Sequence, residues 1–267
     1  PQPGISGEIA VVSTPFVHLH LHSEYSLSDG IVRIEELVSA AAAERMPAVA
    51  LTDLANLFGA VKFFQKALKA GVQPIVGSDV WLENPADRNK PYRLVLLCQN
   101  RQGYLNLNQL LTRAYAEGQH AGRPCIQSEW FTGHSDGLIA LSGALDGDIG
   151  QALVGGHADS AERLAREYQR WFPQRFYIEL QRTGQPLQEE CVHASVELAA
   201  RIGLPVVATN AVQFLKADEF EAHEVRVCIQ DSRVLTDARR PRLYTAEQYF
   251  RSAQEMTALF QDIPEAL

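Results

Sequence analysis

The stretch "FVHLHLHSEYSLSDG", residues 16–30, sets three histidines at alternate positions, with an aspartate in the turn that follows. In a β-strand, side chains at i, i+2 and i+4 share one face. Val17, Leu19 and Leu21 therefore point one way, and His18, His20 and His22 the other. A row of imidazoles is costly to bury unless each finds a partner, and a divalent metal is the commonest such partner. The rival reading is a polar face whose histidines bond to neighbouring strands. Asp29, in "SDG", favours the metal, and Asp53, closing "PAVALTD", could add a bridging carboxylate. Taken alone, a Thr-Asp pair at that place reads as a helix cap before "LANLFGAVKFF".

Outward from this segment, short apolar runs alternate with helical patterns. Strands are expected at "FVHLHLH", "PAVALTD", "VQPIVGSDVWL", "YRLVLLCQN", "GLIALSG", "RFYIEL" and "LPVVATN", seven in all. Apolar spacing predicts helices over 34–45, 57–70, 103–118, 147–154, 158–171, 186–202, 218–230 and 246–260. Nearly all the strands are separated by helices, which predicts parallel pairing, because parallel neighbours need long crossovers. His20, His22, Asp53, Asp79 and the Thr209-Asn210 pair stand at strand ends. Functional groups of α/β barrels gather where the C-terminal ends of the strands converge. The expectation is a barrel-like α/β domain with one polar rim. No internal repeat interrupts it, so residues 16–267 read as one domain, preceded by residues 1–15 as an N-terminal extension, flexible in the simplest reading.

With 267 residues, 46% of them apolar, the chain can bury a full core. A net charge of -8 argues against tight non-specific DNA binding by this segment alone, since phosphate neutralisation needs a basic surface. Cys98, Cys125, Cys191 and Cys228 are scattered without a CxxC pair and read as reduced thiols. No apolar run is long enough to span a bilayer, and "PQPGISGEIAVVSTP" is no signal peptide, so a cytoplasmic chain is expected. It ends on "DIPEAL", which suggests a domain of something longer. The glycines of "IVGSD" and "ALSGALDGDIG" have no nucleotide-loop spacing, and Ser142 reads as a strand-end turn residue. His120, His134 and His157 read as solvated, His193 as a surface histidine, and His223 as structural on a helix. Arg239, Arg240 and Arg242 read as a solvated basic loop, with contact to DNA or another domain as the alternative.

Together, "FVHLHLHSEYSLSDG", "MPAVALTDLANLFGAVKFF", "GVQPIVGSDVWL", "GLIALSG" and "GLPVVATNAVQF" resemble, in order, the PHP (polymerase and histidinol phosphatase) domain. The resemblance is to the form at the N-terminus of bacterial replicative DNA polymerase III alpha subunits, and it extends through "AHEVRVCIQD", "PRLYTAEQYFRS" and "MTALFQDIPEAL". It implies a distorted seven-stranded (β/α) barrel, similar to a TIM barrel, with residues from about 232 to 267 leading toward a polymerase core. In active members the rim holds up to three Zn, Mn or Fe ions that hydrolyse phosphoesters.

The carry-over is partial. His20 and His22 match the family's opening pair, Asp29 and Asp53 its next acidic positions, and Asp79 keeps a charge where the family has glutamate. Leu54, Arg93, Ala144, Thr183, Ala211 and Gln213 stand where the resemblance places ligands. Leucine and alanine cannot bind a metal, glutamine binds weakly, and arginine repels a cation. A multinuclear site needs carboxylates to bridge ions about 3.5–4 Å apart. The retained set is therefore expected to be vestigial, with no cofactor beyond a single weakly held Zn or Mn ion. The resemblance implies a largely non-catalytic docking domain for the proofreading exonuclease (epsilon) subunit, bound to the rest of the alpha subunit and meeting DNA only through the holoenzyme. The alternative is a metal-dependent phosphoesterase, a 3′-5′ exonuclease or pyrophosphatase, using the remaining ligands.

Overall fold

The computed structural model describes residues 16–27, 29–237 and 239–267; the expected extension, residues 1–15, lies outside them. After residues 16–22 the chain runs α1 (Ile34–Ala43), β1 (Ala48–Leu51), α2 (Ala60–Lys69), β2 (Gln73–Leu82) and β3 (Tyr92–Cys98). Next come α3 (Arg101–Glu117), β4 (Gln119–His120), β5 (Arg123–Ile126), β6 (Leu138–Leu141), α4 (Asp148–Val154) and α5 (Ala158–Trp171). Then follow β7 (Phe176–Gln181), α6 (Gln188–Ile202), β8 (Val206–Thr209), α7 (Phe220–Gln230) and α8 (Ala253–Leu259).

These strands make a distorted barrel. β1 pairs parallel with the first half of β2, β6 with β7, and β7 with β8. Residues 16–22 supply the closing stave. On one side His18 O and Leu21 O accept from Ala50 N (2.8 Å) and Thr52 N (2.9 Å). On the other, His22 N donates to Val212 O (2.9 Å), and Val212 N to His20 O (3.0 Å).

Two expectations need correction. β3 runs antiparallel to both β2 and β6. No helix lies between β2 and β3, so residues 83–91 return the chain as a hairpin instead of a crossover. The second concerns residues 16–22, which form one isolated bridge, Leu21 with Val212, and not a regular strand. With so few ladder bonds the pleat is not sustained. Leu19 packs inside the barrel beside Ala50, Val95, Leu97 and Leu141, whereas Leu21 joins the outer layer with Ile34, Leu37 and Phe63. His18 turns away from His20 and His22: its Nε2 lies 2.8 Å from Arg251 O and its ring is 4.5 Å from that of Phe250.

The helices match their predicted positions within a few residues, except the last. α8 starts at Ala253 and not 246, because the Ser252 hydroxyl accepts from Glu255 N (3.2 Å) while the Glu255 carboxylate accepts from Ser252 N (2.7 Å). That reciprocal cap satisfies donors a helix end otherwise leaves open. β3 separates the two apolar layers by its alternation: Leu94 and Leu96 face the helices with Leu107 and Leu110 of α3, while Val95 and Leu97 face inward. The rim turns after β1, β6 and β8 carry Ala55, Ala144 and Ala211 at φ of 53°, 47° and 41°, a left-handed conformation that non-glycine residues adopt only under tertiary constraint. Among the described residues no helix is long and apolar enough to cross a membrane.

Candidate metal centre

The polar rim gathers His20 and His22 from the closing stave, Asp79 from β2, Arg93 from β3 and Glu179 from β7. All five side chains except Arg93 are buried below a tenth exposure. His20 lies between two carboxylates, with Nδ1 2.8 Å from Glu179 Oε1 and Nε2 3.0 Å from Asp79 Oδ2. His22 repeats the pattern, with Nδ1 3.0 Å from Asp29 Oδ1 and Nε2 3.2 Å from Asp79 Oδ2. Both imidazoles thus converge on one oxygen of Asp79 while a second carboxylate holds the far nitrogen of each.

Arg93 completes the group. Its Nε lies 3.1 Å from both Asp79 oxygens, and Nη2 donates to Oδ2 as well. Three carboxylates, Asp29, Asp79 and Glu179, therefore face three cationic groups, His20, His22 and Arg93. The ionisation of each follows. Burial alone would lower the His20 pKa, but Glu179 and Asp79 outweigh it and push it up to about 10. His22 is raised likewise, against burial, by Asp29 and Asp79. Burial opposes ionisation of Asp79, yet Arg93 and the two histidines hold it well below the usual carboxylate range. Asp29 and Glu179 are lowered in the same way, chiefly against burial by His22 and His20 respectively.

The other positions singled out in the sequence are dispersed. Asp53 accepts from Ser23 N (2.7 Å), the Ser23 hydroxyl (2.9 Å) and the Ser26 hydroxyl (2.9 Å), and so pins the 23–26 turn, while the His22 charge acts on it through space. Leu54 is buried and bridges to Asp79 through the backbone. Ala144 and Ala211 sit in the strained rim turns. The Thr183 amide donates to Gln188 Oε1, and the Gln213 amide nitrogen stands 3.2 Å from His22 Nδ1. Ser142 is a turn residue whose hydroxyl accepts from Glu179 N (2.9 Å). His223 is buried against Phe214 and Tyr244, and the Tyr244 hydroxyl donates to Asp29 Oδ2 (3.1 Å). Arg240 turns inward onto Glu224, leaving Arg239 and Arg242 exposed. All four cysteines are free.

Glu179 was not expected. Its signal in the sequence is a lone carboxylate inside the apolar run "FYIEL", where Ile178 and Leu180 take the opposite face. Besides His20 it accepts from Thr209 Oγ1, from Gln181 Nε2 (3.0 Å) and from Gly143 N (3.1 Å), so β7 ties the stave to β8 and to the turn after β6.

His20, His22 and Asp79 bring their ligand atoms within 4.8 Å of one another, close enough to hold an ion. A carboxylate on the far nitrogen of each histidine is also the usual outer frame of a metal site. A bound ion, however, needs lone pairs on both Nε2 atoms and on Asp79. Here both Nε2–H groups donate to Asp79, and Arg93 covers both of its oxygens. The frame fits a metal; its centre, as arranged, fits a guanidinium.

Fold and site together define a distorted α/β barrel with a buried histidine–carboxylate rim. The family model described as the PHP domain matches residues 18–183, and the chain belongs to that family. It is 49% identical over 252 residues to the DNA polymerase III subunit alpha of Pseudomonas fluorescens, and 46% identical over 252 residues to that of Escherichia coli K12. Those alignments cover 94% of this chain but 22% of each relative, so the chain spans about a fifth of the length of the curated relatives it matches. An amidohydrolase from Chromobacterium violaceum, solved with bound sulfate and no metal, superposes with a TM-score of 0.50 at 16% identity, covering 79% of this chain and 96% of its own. That likeness concerns the fold alone.

Proposed function

We propose that this chain is the N-terminal domain of a bacterial DNA polymerase III alpha subunit, acting in the cytoplasm during DNA replication as a structural domain and docking platform for the proofreading exonuclease, with no hydrolytic activity of its own. The observation that carries the reading is the Arg93 guanidinium on Asp79. It supplies the positive charge that an ion would otherwise bring between His20, His22 and Asp79. Residues 16–267 then form one domain whose final stretch, from about 232, leads toward the polymerase core, and DNA is met only through the assembled enzyme. His20, His22, Asp29, Asp53 and Asp79 are on this reading remnants of a ligand set.

The test is metal content by elemental analysis after dialysis against Mn²⁺ and Zn²⁺, alongside a His20→Ala/His22→Ala double variant, followed by co-elution with the exonuclease subunit. The expected result is empty protein in both cases and a stable complex with the exonuclease. The second reading, a metal-dependent phosphoesterase, is favoured by the convergence of His20, His22 and Asp79. Two or more ions per chain, lost in the double variant, would establish it and sink the first.

A further inference from the structure

We propose that Trp81 is a positioning residue for Arg93: its indole face holds the guanidinium in the one orientation that grips Asp79, and so withholds Asp79 from metal. The inference rests on the role given to Arg93 above. Asp79 and Trp81 are two residues apart on β2 and share a face. The antiparallel register sets Trp81 directly opposite Arg93 on β3, and its parallel register with β5 sets it opposite Cys125. The Arg93 guanidinium carbon lies 4.3 Å from the indole ring, and that of Arg123, two residues before Cys125, lies 5.3 Å from it. Arg123 is itself anchored, its Nη1 donating to Asn89 O (2.9 Å).

The geometry explains why an indole belongs there. A guanidinium is planar, so it can meet a carboxylate with its edge and an aromatic ring with its face at the same time. Fixing both leaves the group little freedom to turn. Arg93 needs this, because its side chain keeps 16% exposure at the rim, where water competes for its N–H groups. Asp79 is buried and already shared between two histidines, so any loosening of Arg93 frees one carboxylate oxygen toward the converging Nε2 atoms.

The experiment compares the wild-type chain with Trp81→Phe, Trp81→Met, Trp81→Leu and Arg93→Met, using Co²⁺ as the probe. Binding is read by equilibrium dialysis and by the visible absorption of bound Co²⁺, and thermal unfolding confirms that each variant is folded. Met and Phe are close in size but differ in having a π face, so a packing role alone would not separate them. Arg93→Met should take up one ion. Trp81→Met and Trp81→Leu should reach half-saturation at about tenfold lower Co²⁺ than wild type, the scale of one lost cation–π contact. Trp81→Phe should behave as wild type. If the Met and Leu variants match wild type while Arg93→Met binds, the clamp is refuted and the reading of Arg93 survives. Should wild type bind as tightly as Arg93→Met, the reading of Arg93 fails and the clamp with it. No ion in any variant overturns the clamp as well, because Arg93 would not then be what bars the metal. The two face-less variants at position 81 guard against one of them failing to fold.

Discussion

Replacing Arg93 by Met is the perturbation that bears most directly on the charge cluster. In the native protein the Asp79 carboxylate is buried and receives Arg93 together with both imidazoles. Removing one member of a buried ion pair costs about 3–5 kcal/mol, because the remaining charge stays in low dielectric. Two histidines still face Asp79 and Arg93 is partly exposed, which sets the expected loss at the lower end, about 3 kcal/mol. For a domain of this size class that corresponds to a drop in Tm of about 6–12 °C. The assay is thermal and urea unfolding of wild type and Arg93→Met, in EDTA so that no ion can refill the site. The pH dependence carries the sign. Asp79 has a folded pKa depressed below its unfolded value, so its contribution is present above about pH 4 and is lost as pH falls through the folded pKa. The gap between wild type and variant should therefore be full at pH 6–8 and narrow in acid. A variant within about 0.5 kcal/mol of wild type at pH 7 would refute the reasoning, since ordinary surface changes fall in that band.

Two further outcomes follow from the same structure. His20 has a folded pKa raised to about 10 against an unfolded value of 6.5, so its stabilisation is full below pH 6.5 and is lost as pH rises toward 10; the urea midpoint of the wild type should fall across pH 7–10, and Glu179→Gln should flatten that decline. Asp148 is pushed up to about 6 mainly by burial, opposed by the hydrogen bond from the Tyr168 hydroxyl (2.9 Å), so at pH 8 its charge is a burden of at most about 3 kcal/mol. Asp148→Asn keeps an acceptor for Tyr168 and should raise the unfolding midpoint at pH 8, with the advantage gone below pH 4; a midpoint that falls at pH 8 would count against a buried-charge cost there.

Much of this fold is written in local pattern. The run "LPVVATN" and the spacing across "ADSAERLAREYQRW" mark β8 and α5 without help from elsewhere. The direction of β3 is less legible, because "YRLVLLC" has the same composition in either orientation, and the clue is only that residues 83–91 hold no helical pattern. The faces of residues 16–22 depart in part from strict alternation. Strict alternation assumes a continuous ladder, and this stave bonds its neighbours at a few points, so His18 leaves the row that His20 and His22 share. At the site, the His20–His22 pair and Asp79 stand out as polar residues at strand ends. Asp53 stands out equally in the sequence but serves Ser23 and Ser26. Whether a strand-end carboxylate meets a turn or a histidine depends on which loop folds over it, and that is a non-local fact. Glu179 was hidden for the complementary reason: in alternation with Ile178 and Leu180 it reads as a solvent-facing residue, and only closure of the barrel brings His20 to it.

The charged residues at the rim are linked by charge balance. Buried carboxylates at hydrogen-bonding distance of shared partners cannot all ionise unless cations lie among them. An ion does this in a metal site; without one, Asp29, Asp79 and Glu179 would have to bind protons or be replaced. Arg93 in contact with Asp79 offers a third solution, while Glu179, Asp29 and Asp79 raise the pKa of the two imidazoles so that each donates to two carboxylates. A protonated imidazole is no ligand. On the function proposed above, a single arginine at position 93 therefore does more than occupy one ligand position: it turns His20, His22 and Asp79 from a set of donors to a metal into a closed set of ion pairs. On that reading the His-x-His pair serves as a structural element of the barrel seam, tying the closing stave to β2 and β7. The same logic orders the route back to a metal site. On the proposed function, metal ligands placed at Leu54, Ala144 or Ala211 while Arg93 stays in place would add donors around a centre that is already filled, so Arg93 is the first group to remove.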